Sequence, residues 1–147
     1  MKKNIILFFL VLNSAILFAQ NTDTLINRYI AIKNALVESK SNQAKNAITN
    51  FNSAVLSDST FKISKEMQSA LNKLRNANTI EAQRENFNAF SISFWDMLKT
   101  TKYSSQVIYY QYCPMKKAYW LSLEKKIENP YYGSSMLSCG RVVEKTQ

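Results

Sequence analysis

Histidine is absent from this chain of 147 residues. That excludes His-ligated zinc and haem, Ser-His-Asp and Cys-His nucleophile systems, and proton transfer by imidazole. Glycine, proline and cysteine are scarce, two of each, and all six lie between Cys113 and Gly140. No phosphate-binding glycine loop can be built from so few, and no nucleophile has a recognisable base, so the chain is not expected to be an enzyme. Acidic residues are also short, 10 Asp+Glu against 19 Lys+Arg, a formal charge of +9. What is present is a 46% hydrophobic content, enough to fill one core. Seven of the eight tyrosines lie beyond Lys102, so composition alone divides the chain in two.

Met1-Lys2-Lys3 gives a positive start, Ile5 to Leu12 an apolar run, and Leu17-Phe18-Ala19-Gln20 a cleavage end, so residues 1–19 read as a secretory signal peptide. The apolar run stops at Asn13, well short of the roughly 20 residues a spanning helix needs, and no lipidation cysteine follows it. Cleavage would leave 17 basic side chains against 10 acidic, a charge of +7, and no membrane span. The charge is spread along the chain without a dense block, which favours solubility and loose attraction to anionic envelope surfaces over nucleic-acid binding. The expected location is the periplasm.

From Asn21 to Tyr112 no Gly or Pro interrupts the chain, and only polar clusters punctuate it. Leu25, Tyr29, Ile32 and Leu36 share one helical face and predict a helix over about Thr24 to Ser39. Ala44, Ala47, Ile48, Phe51 and Val55 predict a second, ending at Ser57-Asp58-Ser59-Thr60. Ile63, Met67, Ala70, Leu71 and Leu74 mark a third, and Thr79 can cap a fourth that carries Ile80, Phe87, Phe90, Phe94 and Leu98. The expectation is a mainly α fold, a four-helix up-down bundle with a small C-terminal strand and turn lobe packed on it, within one domain spanning 20–147. Trp95 and Met67 read as core. Glu81, Glu85 and Asp96, with Arg84 nearby, read as solvated ion pairs.

The C-terminal segment, about 105–143, is different in kind. Val107-Ile108-Tyr109-Tyr110-Gln111-Tyr112 is a strand signature that Pro114 ends. On extended chain, Cys113 and Met115 project to one side, and Met136 and Cys139 stand three apart, the spacing of one helical turn. Asn129-Pro130-Tyr131-Tyr132-Gly133 between them is a turn sequence. Two Cys/Met pairs thus flank a turn. Thiolate and thioether donors select Cu(I) or Ag(I), and the clustered carboxylates that calcium or magnesium require are missing from this segment. Lys116 and Lys117 lie where they would favour the Cys113 thiolate.

The words Tyr112-Cys113-Pro114-Met115, Ala118-Tyr119-Trp120-Leu121-Ser122, Asn129-Pro130-Tyr131-Tyr132-Gly133 and Met136-Leu137-Ser138-Cys139-Gly140 resemble an uncharacterised domain family of bacterial envelope proteins. The family is found alone or attached to periplasmic adaptor subunits of copper/silver efflux systems. Tyr29 to Val37 and Arg84-Glu85-Asn86-Phe87 extend the resemblance into the helical region. It implies an accessory role near heavy-metal handling, with a periplasmic efflux component as partner.

Two uses of the same sulfurs stand open. In one, Cys113, Met115, Met136 and Cys139 hold a soft metal ion, thiolates dominating the affinity and thioethers tuning it. In the other, Cys113 and Cys139 form a disulfide in an oxidising compartment, stabilising the fold by about 3.5 kcal/mol on chain-entropy grounds. Tyr112, Trp120, Asn129, Pro130, Tyr131, Tyr132 and Gly133 read as the residues that pack the lobe on the bundle or meet a partner.

Overall fold

The structure, a computed structural model, describes residues 22–58, 61–101 and 104–146. The signal-peptide reading of residues 1–19 lies outside them. Four α-helices come first: α1 (22–37), α2 (Ser41–Ser57), α3 (Lys65–Arg75) and α4 (Ile80–Thr101). Three short strands and a 3-10 turn follow: β1 (Tyr109–Cys113), β2 (Ala118–Ser122), the turn Gly133–Met136, and β3 (Arg141–Lys145). The mainly helical reading with a small C-terminal strand lobe holds.

Each helix buries the stripe that its spacing announces. Leu25, Tyr29, Ile32 and Leu36 of α1 are buried, as are Ala44, Ile48, Phe51 and Val55 of α2. Local chemistry sets the ends. At the C-terminus of α1, Ser39 takes a positive φ of 58°, and the amides of Ser39 and Lys40 bond back to Leu36 O and Ala35 O. This is the two-bond helix stop usually built on glycine, here carried by serine. Ser64 caps α3 by accepting from Met67 N at 3.1 Å, which leaves Ile63, expected within the stripe, just outside the helix. Thr79 caps α4 through Ala82 N at 3.2 Å, as its position implied.

Aromatic rings fill the centre. Tyr29 packs on Phe87, Phe90 and Phe94 at centroid distances of 5.1–5.7 Å, and Phe51 meets Phe90 and Phe94 edge-on. The buried Tyr29 hydroxyl is satisfied twice. It lies 2.6 Å from Ser91 Oγ, whose own hydrogen goes to Phe87 O, so Tyr29 is the donor there. It also accepts from Leu121 N at 3.1 Å, tying the bundle core to β2. Burial pushes this phenol well above its ordinary pKa, so it stays neutral.

The sheet is antiparallel in the order β2-β1-β3. Cys113 pairs with Ala118 at one end of β1 and β2, and Tyr112 with Arg141 across β1 and β3. An irregularity between Tyr110 and Gln111 leaves Val143 without a register partner. Trp95 of α4 stacks on Tyr110 at 4.9 Å, and Tyr110 on Tyr119 at 4.9 Å, which seats the sheet on the bundle. The outer edge of β2 is closed by side chains. Tyr119 N donates to Asn88 Oδ1, Leu121 N to the Tyr29 hydroxyl, and Tyr119 O accepts from the Tyr131 hydroxyl. β3, by contrast, is exposed at four of its five residues.

Candidate functional site

The chemistry of the lobe centres on two sulfurs. β1 ends at Cys113 because Pro114 cannot continue a ladder, and residues 114–117 turn the chain into β2 with Lys117 in the left-handed region, φ 54°. Cys113 is therefore fixed at the end of the central strand and fully buried. Cys139 arrives from the other direction, after the 3-10 turn, on a loop, and is half-buried. The Sγ atoms lie 3.1 Å apart, both as free thiols. Residues 26 positions apart in sequence are thus brought into direct contact.

Gly140 permits that approach. Its φ is 152°, and a Cβ there would sit 2.6 Å from Trp120 Cη2 and 3.1 Å from Tyr112 O. Asn129, fully buried, organises the loop from within. Its side-chain amide donates to Cys139 O at 2.7 Å, its Oδ1 accepts from Tyr131 N at 2.8 Å, and its own N–H goes to Leu137 O at 2.8 Å.

The two thiols are electrostatically unequal. Burial opposes ionisation of Cys113, but the Cys139 thiol, the Lys116 N–H, the Asn129 side chain and the Met115 N–H together hold it below its ordinary value. The hydrogen bond to Cys113 pushes Cys139 up, with burial and the charge on Cys113 adding to it. The stabilising groups are backbone amides and an asparagine rather than the ammonium groups of Lys116 and Lys117, which are exposed. The expected lysine effect is replaced by a local N–H cradle.

The methionines behave differently from the cysteines. Met115 is 67% exposed and Met136 37%, with Leu137 beside it at 38%. Both methionines border the pair through their backbones. Met115 follows Cys113 by two residues, and Met136 O accepts from Cys139 N at 3.1 Å. Among the described residues no group of three or more His, Cys, Asp or Glu side chains is placed to hold a metal ion. Donor chemistry here is sulfur.

The remaining lobe residues singled out from the sequence are placed as follows. Tyr131 is buried between Phe87 and Trp120, and its hydroxyl donates to Tyr119 O. Trp120 is fully buried, Tyr132 lies partly buried against the core, and Tyr112 meets Tyr119 at a tilt with Arg141 5.8 Å above its ring. Pro130 O accepts from Arg84 Nε at 2.8 Å, and Gly133 sits against Ser39 and Arg84.

Three tethers escaped the sequence reading. Arg84, read as a solvated ion-pair partner, instead reaches Pro130 O, Leu36 O and Ser39 Oγ, each at 2.8 Å, joining α1, α4 and the lobe. Lys33 is 4% exposed and meets Glu128 at 3.5 Å. Gln111 Nε2 donates to the carbonyls of Glu124, Lys125 and Lys126. The signal for Lys33 was available, because a lysine one position after Ile32 falls on the edge of the buried stripe of α1. Asp96 does form a surface ion pair, with Lys99 at 2.9 Å.

No helix among the described residues is long and apolar enough to cross a membrane. No curated protein and no solved structure matches the chain. The family described as "protein of unknown function (DUF3347)" matches residues 25–106, the four helices and the approach to β1. That stretch is more than half of the chain, and the chain therefore belongs to the DUF3347 family.

Proposed function

We propose that this is an exported periplasmic accessory protein that binds a soft monovalent metal ion, Cu(I) or Ag(I), through Cys113 and Cys139, in partnership with a metal-efflux component. The observation that carries the reading is the sulfur pair itself, 3.1 Å apart, with the Cys113 thiol held below its ordinary value and Met115 and Met136 close by in sequence. Thiolate donors suit these ions, and the pair offers too few ligands for a tetrahedral zinc site. Zinc–thiolate bonds are about 2.3 Å long, and an ion with bonds of that order held linearly between both sulfurs would set them about 4.6 Å apart. Cys139, on its loop, is the sulfur able to move outward, while Cys113 is held in the central strand. The efflux connection rests on the resemblance of the lobe motifs, which lie beyond the matched residues 25–106.

A second reading uses the same contact. A disulfide needs the sulfurs about 1 Å closer, a smaller movement than metal binding asks, and would make the protein a stapled interaction module without metal.

Free-thiol counting on protein taken from the periplasm separates the two. The metal reading expects two alkylated cysteines without prior reduction, and the disulfide reading expects none. Anaerobic titration of the reduced protein against a chromophoric Cu(I) chelator then measures affinity. Cys113→Ser or Cys139→Ser is expected to abolish tight binding, and an unchanged affinity would overturn the metal reading.

A further inference from the structure

We infer that Cys113 and Cys139 form a reversible dithiol–disulfide couple, in which Cys139 is the thiol that exchanges with an incoming small-molecule disulfide and Cys113 is the thiol that resolves the adduct. The inference concerns the metal-free pair, so it stands or falls separately from the affinity for Cu(I).

The Sγ atoms lie 3.1 Å apart, so a group attached to one sulfur is within immediate reach of the other. The two sulfurs are unequally accessible. Cys113 is 0% exposed at the end of the central strand, although residues 114–117 after it are exposed, whereas Cys139 keeps part of its surface and follows an exposed run, 134–138. A reagent therefore meets Cys139 first. Its access is narrow, because Gly140 beside it is packed so closely on Trp120 that a Cβ would lie 2.6 Å from Cη2, and this favours a small disulfide over one carried by a folded protein.

The pair is held together by the fold and not by a bond between the sulfurs. Tyr112 pairs with Arg141 across β1 and β3, so the ladder brings Cys113, one residue after Tyr112, beside the chain that carries Cys139, two residues before Arg141. Asn129 holds the same stretch, its side chain donating to Cys139 O at 2.7 Å and its N–H to Leu137 O at 2.8 Å. With both cysteines as free thiols these bonds are all in place. A disulfide that the fold does not depend on can open and close with the lobe intact, which separates a redox couple from a staple.

The reaction is thiol–disulfide exchange in two stages. The Cys139 sulfur attacks one sulfur of the reagent RSSR, its proton passes to the departing RS⁻, and a mixed disulfide forms on Cys139. The Cys113 sulfur then attacks the Cys139 sulfur, the mixed S–S bond breaks, and the second RS⁻ leaves with the Cys113 proton. Two electrons have moved from the thiol pair to the reagent, which ends as two RSH. The sulfurs need to close by only about 1 Å to reach disulfide distance. Excess RSH runs the same stages backward. In the oxidised form neither sulfur is a thiolate, so the couple also decides whether thiolate donors are present at all.

The test uses the purified, reduced protein with a chelator present throughout and glutathione disulfide as the reagent, read by intact mass after acid quenching. Wild type is expected to lose two hydrogens without accumulating a glutathione adduct. Cys113→Ser is expected to accumulate one glutathione, on Cys139, at a rate within about threefold of wild type, and Cys139→Ser to react at least about tenfold more slowly. Equal rates for the two variants, or two glutathiones on wild type, overturn the inference. Because a hydroxyl at the buried Cys113 position can disturb folding, wild type is also treated with limiting N-ethylmaleimide. Peptide mapping is expected to find Cys139 labelled at least about tenfold over Cys113, and comparable labelling overturns the order of attack whatever the variants do. Amide exchange over Tyr109–Cys113 and Arg141–Lys145 is expected to be alike in the reduced and oxidised proteins. Loss of protection on reduction would make the bond a staple and overturn the reversible couple.

Discussion

The bundle and the lobe are held together by different forces. In the helices, stability comes from apolar area: Phe51, Phe87, Phe90 and Phe94 are fully buried around Tyr29, and few polar groups intervene. In the lobe, a handful of directed bonds from Arg84, Gln111, Asn129 and Tyr131 to backbone atoms fix turns that have little core of their own. The matched family stretch, 25–106, covers the first region, and the sulfur pair lies in the second. Packing tolerates gradual change. Directed bonds position a loop more sharply and fail one at a time.

The largest effect should come from the bundle. Phe90→Ala removes a fully buried ring in contact with Tyr29, Phe51, Phe87 and Phe94, and is expected to cost about 3–5 kcal/mol in urea unfolding. A loss below about 1 kcal/mol would break the comparison at its stronger end.

Arg84→Ala tests the join. Three bonds to two carbonyls and a hydroxyl disappear, for an expected loss of about 2–3 kcal/mol. Amide exchange should rise most in residues 129–140 and at the end of α1, with the centre of α4 less affected. Uniform exchange would mean that bundle and lobe open as one unit. Gly133→Ala should follow at about 1–2 kcal/mol, since φ is 57° and the new Cβ meets Ser39 Oγ at 2.6 Å and Arg84 Nη2 at 2.9 Å.

The smallest effect concerns the buried lysine. Glu128→Gln leaves the Lys33 ammonium without its charge partner and is expected to cost about 1 kcal/mol, whereas Lys33→Met, which removes the buried charge, should be neutral or stabilising. The Glu128 carboxyl is held below its ordinary value, first by its hydrogen bond to Lys126 and further by Lys33. Its stabilising contribution is therefore complete above the ordinary carboxylate range and fades as pH falls through the lowered value. Wild type should lose stability in that acid window, and Glu128→Gln should show a shallower slope there.

The same contrast explains what the sequence disclosed. The helices were legible because periodic burial leaves a periodic sequence, and Leu25, Tyr29, Ile32 and Leu36 are all buried as their spacing requires. In the lobe, β1 was legible from Tyr109-Tyr110-Gln111-Tyr112, though it begins two residues later than the reading from Val107. β2 and β3 were not resolved as strands: β2 lacks the β-branched residues of the run from Val107, and β3 has almost no buried face. The convergence of Cys113 and Cys139 was readable from their composition and surroundings. The exposure of Met115 and Met136 was not, since spacing places a residue on a turn without saying which side of it faces water. Arg84 escaped because its partners are main-chain carbonyls, which carry no sequence signature.

The closed outer edge of β2 gives this small sheet a direction of growth. Asn88, Tyr29 and Tyr131 occupy the positions where another strand would bond, so no chain can add on that flank without displacing residues of the bundle core. Any added strand, whether from a second molecule or in self-association, must meet Arg141–Lys145. There the alternation is broken at Val143, and Arg141, Glu144 and Lys145 bring charges of both signs to the flank. One border is sealed by architecture and the other guarded by charge and irregularity, so a three-stranded sheet in a basic, tyrosine-rich segment can stay at three strands.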